Sequence, residues 1–249
     1  EDRLDALYRT PARGGREAAE RDAEIRGLTA RLRVLRRRGA ELCLGRMTAH
    51  DGTVSYLGRI GVTDADGGDL LLDWRTPAAA PFFAASRARP CGLASRRRYR
   101  WAGSRVSDYW DEALTDEALA HLDGGALDAE SSFLAALGAS GTGRMRDVLA
   151  TLAADQDAIV RDRAGGTLVV DGGPGTGKTV VALHRTAYLL YADPRLGHNR
   201  GGVLFVGPHE PYLDYVSDVL PSLGEEGVQT VTLRQLLPEG ASAQPETDP

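Results

Sequence analysis

Residues 167–185 read TLVVDGGPGTGKTVVALHR, and their reading decides the fold. Thr167, Leu168, Val169 and Val170 are β-branched or apolar with no turn residue among them, the composition of a strand buried on both faces. Gly172-Gly173-Pro174-Gly175-Thr176-Gly177-Lys178-Thr179 then satisfies G-x-x-x-x-G-K-[ST] at every fixed position. Residues 180–190 continue with helix-compatible apolar spacing. Strand, glycine loop and helix in that order predict a parallel α/β domain built on a phosphate-binding loop.

The residue types follow from the chemistry. A phosphate chain is wrapped by backbone N–H groups, and side chains would obstruct that approach. Gly172, Gly173, Gly175 and Gly177 lack Cβ and reach unusual backbone angles at little cost. The loop runs into a helix N-terminus, where unpaired amides and the helix dipole favour an anion. Lys178 is then expected at the β- and γ-phosphates, and the Thr179 hydroxyl on Mg²⁺. Lys178 is the only lysine in the chain. Lysine stands where a compact point charge is needed, in a composition that otherwise uses arginine.

At 249 residues the chain is long enough for one or two domains with sizeable cores. A net charge of −5 argues against a general nucleic-acid binder, although local arginine clusters can meet an acidic partner. Cys43 and Cys91 have no paired metal spacing, which excludes a disulfide scaffold or zinc site as the organising feature and fits a reducing cytoplasm. No stretch approaches the ~20 apolar residues of a membrane span, and no signal peptide is visible. A monomer without membrane attachment is expected. His50, His121, His184, His198 and His209 stand in no triad or ligand spacing. The chain opens on Glu1 rather than Met, so residues upstream are expected to be missing.

Upstream of the loop the text divides in two. Residues 1–47 read as a helical arm: a short helix to Arg9, a break at residues 10–15, and a longer helix over residues 16–38. In that helix Ile25, Leu28, Leu32 and Leu35 are spaced 3, 4, 3, an a/d seam that Ala18 and Leu42 extend. Such a narrow stripe wants one partner helix, and the arm would be about 35 Å long at 1.5 Å per residue. A helix packed on its own domain and a projecting antiparallel coiled coil fit equally well. Arg36, Arg37 and Arg38 read as a cation cluster at a helix C-terminus.

Residues 48–142 read as a small β-rich domain. Residues 54–62 form a strand, residues 64–68 a turn, and residues 70–74 the second strand of a hairpin. Phe82 and Phe83 are expected in the core. Residues 96–101 and 106–110 read as a second antiparallel pair turning at Gly103-Ser104, with Arg96, Arg97 and Arg98 facing Asp108, Asp111 and Glu112. That reading is preferred over a basic binding patch. Residues 115–137 turn helical, and residues 138–143 read as a linker.

Residues 143–249 read as the first part of a nucleotide-binding motor domain. A helix over residues 145–161 carries Gln156. After the loop helix come a strand at residues 202–206, a helix over residues 211–220 and a third strand at residues 229–233. No apolar run after Arg185 ends in the acidic pair that a motor uses to hold Mg²⁺ and place water; Glu225-Glu226 falls in a turn. Residues 239–249 are expected to be frayed. The chain therefore reads as the N-terminal portion of a longer motor, and turnover by this portion alone is not expected.

From Met145 to Tyr191, with Gln156, GGPGTGKT and LHRTAYLLY, the sequence resembles the opening of superfamily 1 helicases of the UvrD/Rep type. YLGRIGV and LLLDWRTPAAAPFFAAS upstream, and VGPHEPYLDYVSDVLPSLGE downstream, resemble the HelD family, and this likeness covers nearly the whole chain. It implies a RecA-like domain following the arm and the β-rich domain. It also implies a cytoplasmic factor that binds bacterial RNA polymerase, enters its secondary channel with the arm and releases it from nucleic acid using ATP, with GTP as the alternative, and Mg²⁺. Gln156 matches the glutamine motif that contacts adenine. Nucleotide-binding positions carried over are Gln156, Gly172, Gly173, Pro174, Gly175, Thr176, Gly177, Lys178, Thr179 and Val180. Many such helicases have arginine where this chain has Val180. Two other readings stay open: a DNA helicase or helicase–nuclease portion, with Tyr212 and Tyr215 as candidate stacking aromatics that fit the core equally well, and a non-catalytic regulator binding polymerase through residues 1–142.

Overall fold

The computed structural model describes residues 2–11, 14–102, 104–120, 152–162, 165–196, 202–220 and 228–236. The chain is a mixed α/β protein. It begins with two helices, α1 (Asp2–Arg9) and α2 (Gly15–Arg38), which fold back on one another. Arg3 pairs with Glu24 at 2.9 Å and Arg21 donates to Thr10 O, closing this hairpin. Ile25, Leu28 and Leu32 of the expected seam are half-buried, and Leu35 lies outside the described side chains. Leu42 does not extend the seam: it is buried in a 3₁₀ turn, and its carbonyl accepts from Arg59 N–H at 2.8 Å.

Six strands follow: β1 (Cys43–Ala49), β2 (Val54–Gly58), β3 (Val62–Thr63), β4 (Asp69–Asp73), β5 (Leu93–Ala102) and β6 (Arg105–Ala113), in the order β3-β4-β2-β1-β5-β6. The sheet thus begins at Cys43, ahead of the boundary expected at Thr48. The long strand expected over residues 54–62 is broken. Gly58 turns so tightly that a Cβ would meet Ile60 O at 2.6 Å, Arg59 and Ile60 are buried, and Gly61 N–H donates to Asp73 Oδ2. In consequence β2 runs parallel to β4, and only the short β3 forms the expected hairpin with it.

The β5–β6 hairpin forms as expected. Arg96 meets Glu112 at 2.7 Å and Arg97 meets Asp111 at 2.6 Å, while Arg98 stands opposite Trp110 and Asp108 opposite Arg100. The basic run is absorbed further by Phe82: Arg96 donates to its carbonyl and Arg98 lies over its ring. Phe82 and Phe83, on α3 (Ala80–Ala84), are fully buried with Trp74. A short α4 (Asp116–Ala120) follows β6. The rest of the helix expected over residues 115–137, the linker at 138–143 and the first part of the helix from Met145 lie outside the described residues.

The chain is described again at α5 (Ala154–Arg161), α6 (Lys178–Ala192), β7 (Leu204–Gly207), α7 (Glu210–Val219), β8 (Gln229–Thr232) and α8 (Leu233–Leu236). β7 and β8 pair in parallel across α7, the expected strand–helix–strand layout. The strand expected at residues 167–170 does not form. Thr167–Val170 joins no ladder among the described residues, and Val169 is 82% exposed. Its β-branched composition favours a pleated, covered position, but among the described residues no strand lies beside it to complete a ladder. The turn expected at Glu225-Glu226 and the tail from Glu239 lie outside the described residues.

One apolar core runs through both halves, from Leu57, Trp74 and Phe83 to Val160, Leu183 and Val216. The seam is held by Arg161. Its guanidinium donates to Trp74 O (2.6 Å), Arg75 O and Thr76 O (both 3.2 Å) and to the Asp157 carboxylate, and it lies over the Phe83 and Tyr188 rings. Beside it Arg75 and Asp73 form a buried two-point pair and Arg75 covers Tyr191. The DWRTP stretch is therefore the place where the sheet meets α5 and α6.

Candidate functional site

The loop from Asp171 to Thr179 is exposed and closes on itself. Gly175 and Gly177 take φ of 81° and 85°, left-handed angles open to glycine, which turn the chain into α6. The Thr176 hydroxyl donates to Gly173 O at 2.9 Å, and Asp171 Oδ1 accepts from Gly172 N–H at 2.7 Å. Lys178 reaches back across the loop, its ammonium donating to Gly172 O (2.6 Å) and Gly173 O (2.8 Å). Pro174 sits in the turn between them.

Gln156 approaches from α5. Its Oε1 accepts from Ala153 N–H and its Nε2 donates to Thr176 O, both at 3.1 Å. A Cβ at Gly177 would lie 2.7 Å from that Nε2. At the other end of α5, Arg185 of α6 donates to Ile159 O, Val160 O and Asp162 O, covering carbonyls at the helix end. Val180 is half-buried against the core. The structure thus gathers Gln156, residues 172–179 and Val180 at one loop–helix junction.

Sequence reasoning missed the support. Arg161 and Arg185 are single arginines among many. Asp157 carried no motif; burial pushes its carboxyl upward against the pull of Arg161. Tyr212 entered only as a candidate stacking aromatic. It packs half-buried on Phe205, and its hydroxyl reaches Thr179 Oγ1 at 3.3 Å. Tyr215 is packed against the core as well. The GP-x-x-x-YL block was the available signal for Tyr212.

The residues present fit an anionic group. Among the described residues the amides of Gly175, Gly177, Lys178, Thr179 and Val180 make no hydrogen bond. They lie in the loop that Lys178 spans and in the first turn of a 15-residue helix. That is the donor set a phosphate chain requires. No group of three or more His, Cys, Asp or Glu among the described residues could hold a metal ion by itself. A cation here would need oxygen from its own ligand besides Thr179. No described helix is long and apolar enough to cross a membrane.

A family profile described as the N-terminal domain of DNA helicase IV HelD matches residues 1–126. The chain belongs to the HelD family. The match spans α1 to α4 and includes the whole six-stranded sheet and the DWRTP stretch, and it stops short of the glycine loop. Among curated proteins no match to this HelD-family chain was found.

Proposed function

We propose that residues 172–179 bind a nucleoside triphosphate with Mg²⁺, with Gln156 at the base, and that residues 143–249 begin a P-loop motor domain of RecA-like type. The observation that carries this reading is that, among the described residues, the amides of Gly175, Gly177, Lys178, Thr179 and Val180 make no hydrogen bond, in the loop that Lys178 spans at the start of α6. Lys178 exchanges its two loop carbonyls for phosphate oxygens, and Thr179 supplies a hydroxyl oxygen to the metal. ATP is the favoured nucleotide and GTP the alternative. In calorimetric titration with MgATP, the chain binds and Lys178→Ala loses at least tenfold in affinity. Equal affinity in the two proteins would remove the reading.

Within the HelD family, the chain is further proposed to be the N-terminal part of an ATP-dependent, UvrD-like factor that binds bacterial RNA polymerase and frees it from nucleic acid. The α1–α2 hairpin is the polymerase-probing arm of that proposal. Its test is co-purification with core RNA polymerase, lost on removing residues 1–38. The cut falls at residue 38 because removal through residue 47 would take most of β1 out of the sheet. The family description names a DNA helicase, which makes DNA the second candidate partner. Retention of a tailed duplex, with no capture of polymerase, selects that reading.

A further inference from the structure

Tyr212 stands in the VGPHEPYLDYV block, and the reading above gives that block no task. Its local structure is devoted to seating one ring. Gly207 leaves the necessary room: a Cβ there would lie 2.5 Å from Leu213 Cδ2 and 2.9 Å from Tyr212 Cδ1. His209 caps α7, its Nδ1 accepting from Tyr212 N–H at 3.2 Å, and its ring stands edge-on to the Tyr212 ring. Phe205 of β7 packs against the same ring, 6.4 Å between centroids. Held this way, the phenol reaches out of α7 to the first turn of α6 and donates to Thr179 Oγ1 at 3.3 Å.

The second observation concerns the threonine. Within α6, Thr186 turns its hydroxyl back onto the helix, donating to Ala182 O at 2.9 Å, the usual fate of a helical threonine. Among the described residues Thr179 makes no such bond. Its only described partner is Tyr212, which occupies one lone pair of Oγ1. The other lone pair and the hydroxyl hydrogen remain available.

We propose that Tyr212 is a positioning residue for Thr179: it fixes the Thr179 rotamer so that the free lone pair faces the phosphate loop, where a nucleotide-bound divalent cation would take it. This rests on the nucleotide reading above. The rigid seat of Tyr212 means that the hydroxyl is ordered before any ligand arrives, and less rotamer freedom is lost on binding. Tyr212 acts through Thr179 and touches neither nucleotide nor metal.

The test is ATP affinity of the full 249-residue chain, titrated once in MgCl₂ and once in EDTA. Tyr212→Phe keeps the ring and its packing and removes only the hydroxyl. It lowers affinity three- to tenfold in MgCl₂, the range of one net hydrogen bond, and changes it less than twofold in EDTA. In a Thr179→Ala background, Tyr212→Phe has no further effect; in a Thr179→Ser background its effect returns. Equal losses in MgCl₂ and EDTA, or additive losses with Thr179→Ala, overturn the proposal and leave nucleotide binding standing. Indistinguishable titrations of wild type and Lys178→Ala overturn the nucleotide reading, and the Tyr212 proposal with it.

Discussion

At the scale of single residues, His184 shows how a buried polar group ties the fold to pH. It lies within α6, 1% exposed, with Nδ1 2.7 Å from Val180 O and its ring edge-on to Trp74 at 5.6 Å between centroids. Facing a carbonyl, Nδ1 carries the hydrogen, which leaves Nε2 as an acceptor. Among the described residues that Nε2 is buried without a partner. Protonating it would place a charged N–H in apolar surroundings, and burial accordingly lowers the pKa to about 4. The sign follows from linkage. The folded pKa lies below the unfolded value of about 6.5, so the stabilisation is whole above pH ~6.5 and is lost as pH falls toward 4, where the unfolded chain takes a proton the folded chain refuses. At pH 4.5 the wild type should have lost roughly 2–3 kcal/mol more, relative to pH 7, than His184→Phe, which keeps a ring against Trp74. Denaturant melts of both proteins at the two pH values measure this. Equal acid sensitivity would show that His184 titrates freely.

At the scale of elements, β1 is the strand on which the sheet depends, pairing with β2 on one side and β5 on the other. Gly45 lets β5 and Phe82 close over it: an added Cβ would overlap Arg97 O and lie 2.6 Å from the Phe82 ring. Neither can retreat, since one belongs to the ladder and the other is fully buried. Gly45→Ala is therefore expected to cost roughly 2–3 kcal/mol, the range of an overpacked core, while Gly52→Ala, with nothing within 4 Å, costs only the strain of its φ of 84°. Thermal melts that rank the two in reverse order would contradict this. The same strand marks the limit of what was legible in the text. β5–β6 could be read because its charges are local partners across a short turn. β1 could not: CLGRMTA has no period-2 pattern, and its identity comes from neighbours up to 58 residues away, as in the Trp101 bond to Cys43 O. The turn of the glycine loop into α6 was legible because its backbone needs are compressed into eight positions, with Gly175 and Gly177 at left-handed angles. The strand before it was misread because β-branched composition states a preference and supplies no partner. Tyr212 and Arg161 were illegible as contacts, since each acts across a fold that sequence spacing does not encode.

At the scale of the molecule, α5 joins two things the chain keeps far apart in sequence. Its first turn carries Gln156 against the glycine loop, and its last residue carries Arg161 against the carbonyls of residues 74–76. A helix of eight residues is not stable alone, so α5 is ordered by what it grips. Sheet and loop helix share one core across it, and the chain should unfold in a single calorimetric transition. Arg161→Ala removes the grip and leaves Asp157, whose side chain is 3% exposed, buried without its partner. The expected cost is about 3–5 kcal/mol. That loss alone would not separate a joint from an ordinary buried pair, so the decisive protein is Arg161→Ala with Asp157→Leu. The second change removes the stranded charge and restores part of the lost stability, but the three carbonyls of the DWRTP stretch stay released. If Arg161 fastens the two halves, the double variant melts in two steps, with tryptophan emission from Trp74, Trp101 and Trp110 following the sheet and MgATP raising only the step that belongs to the loop. A single transition in the double variant, shifted as a whole by MgATP, would mean that apolar packing alone couples the halves and that Arg161 does no more than neutralise Asp157.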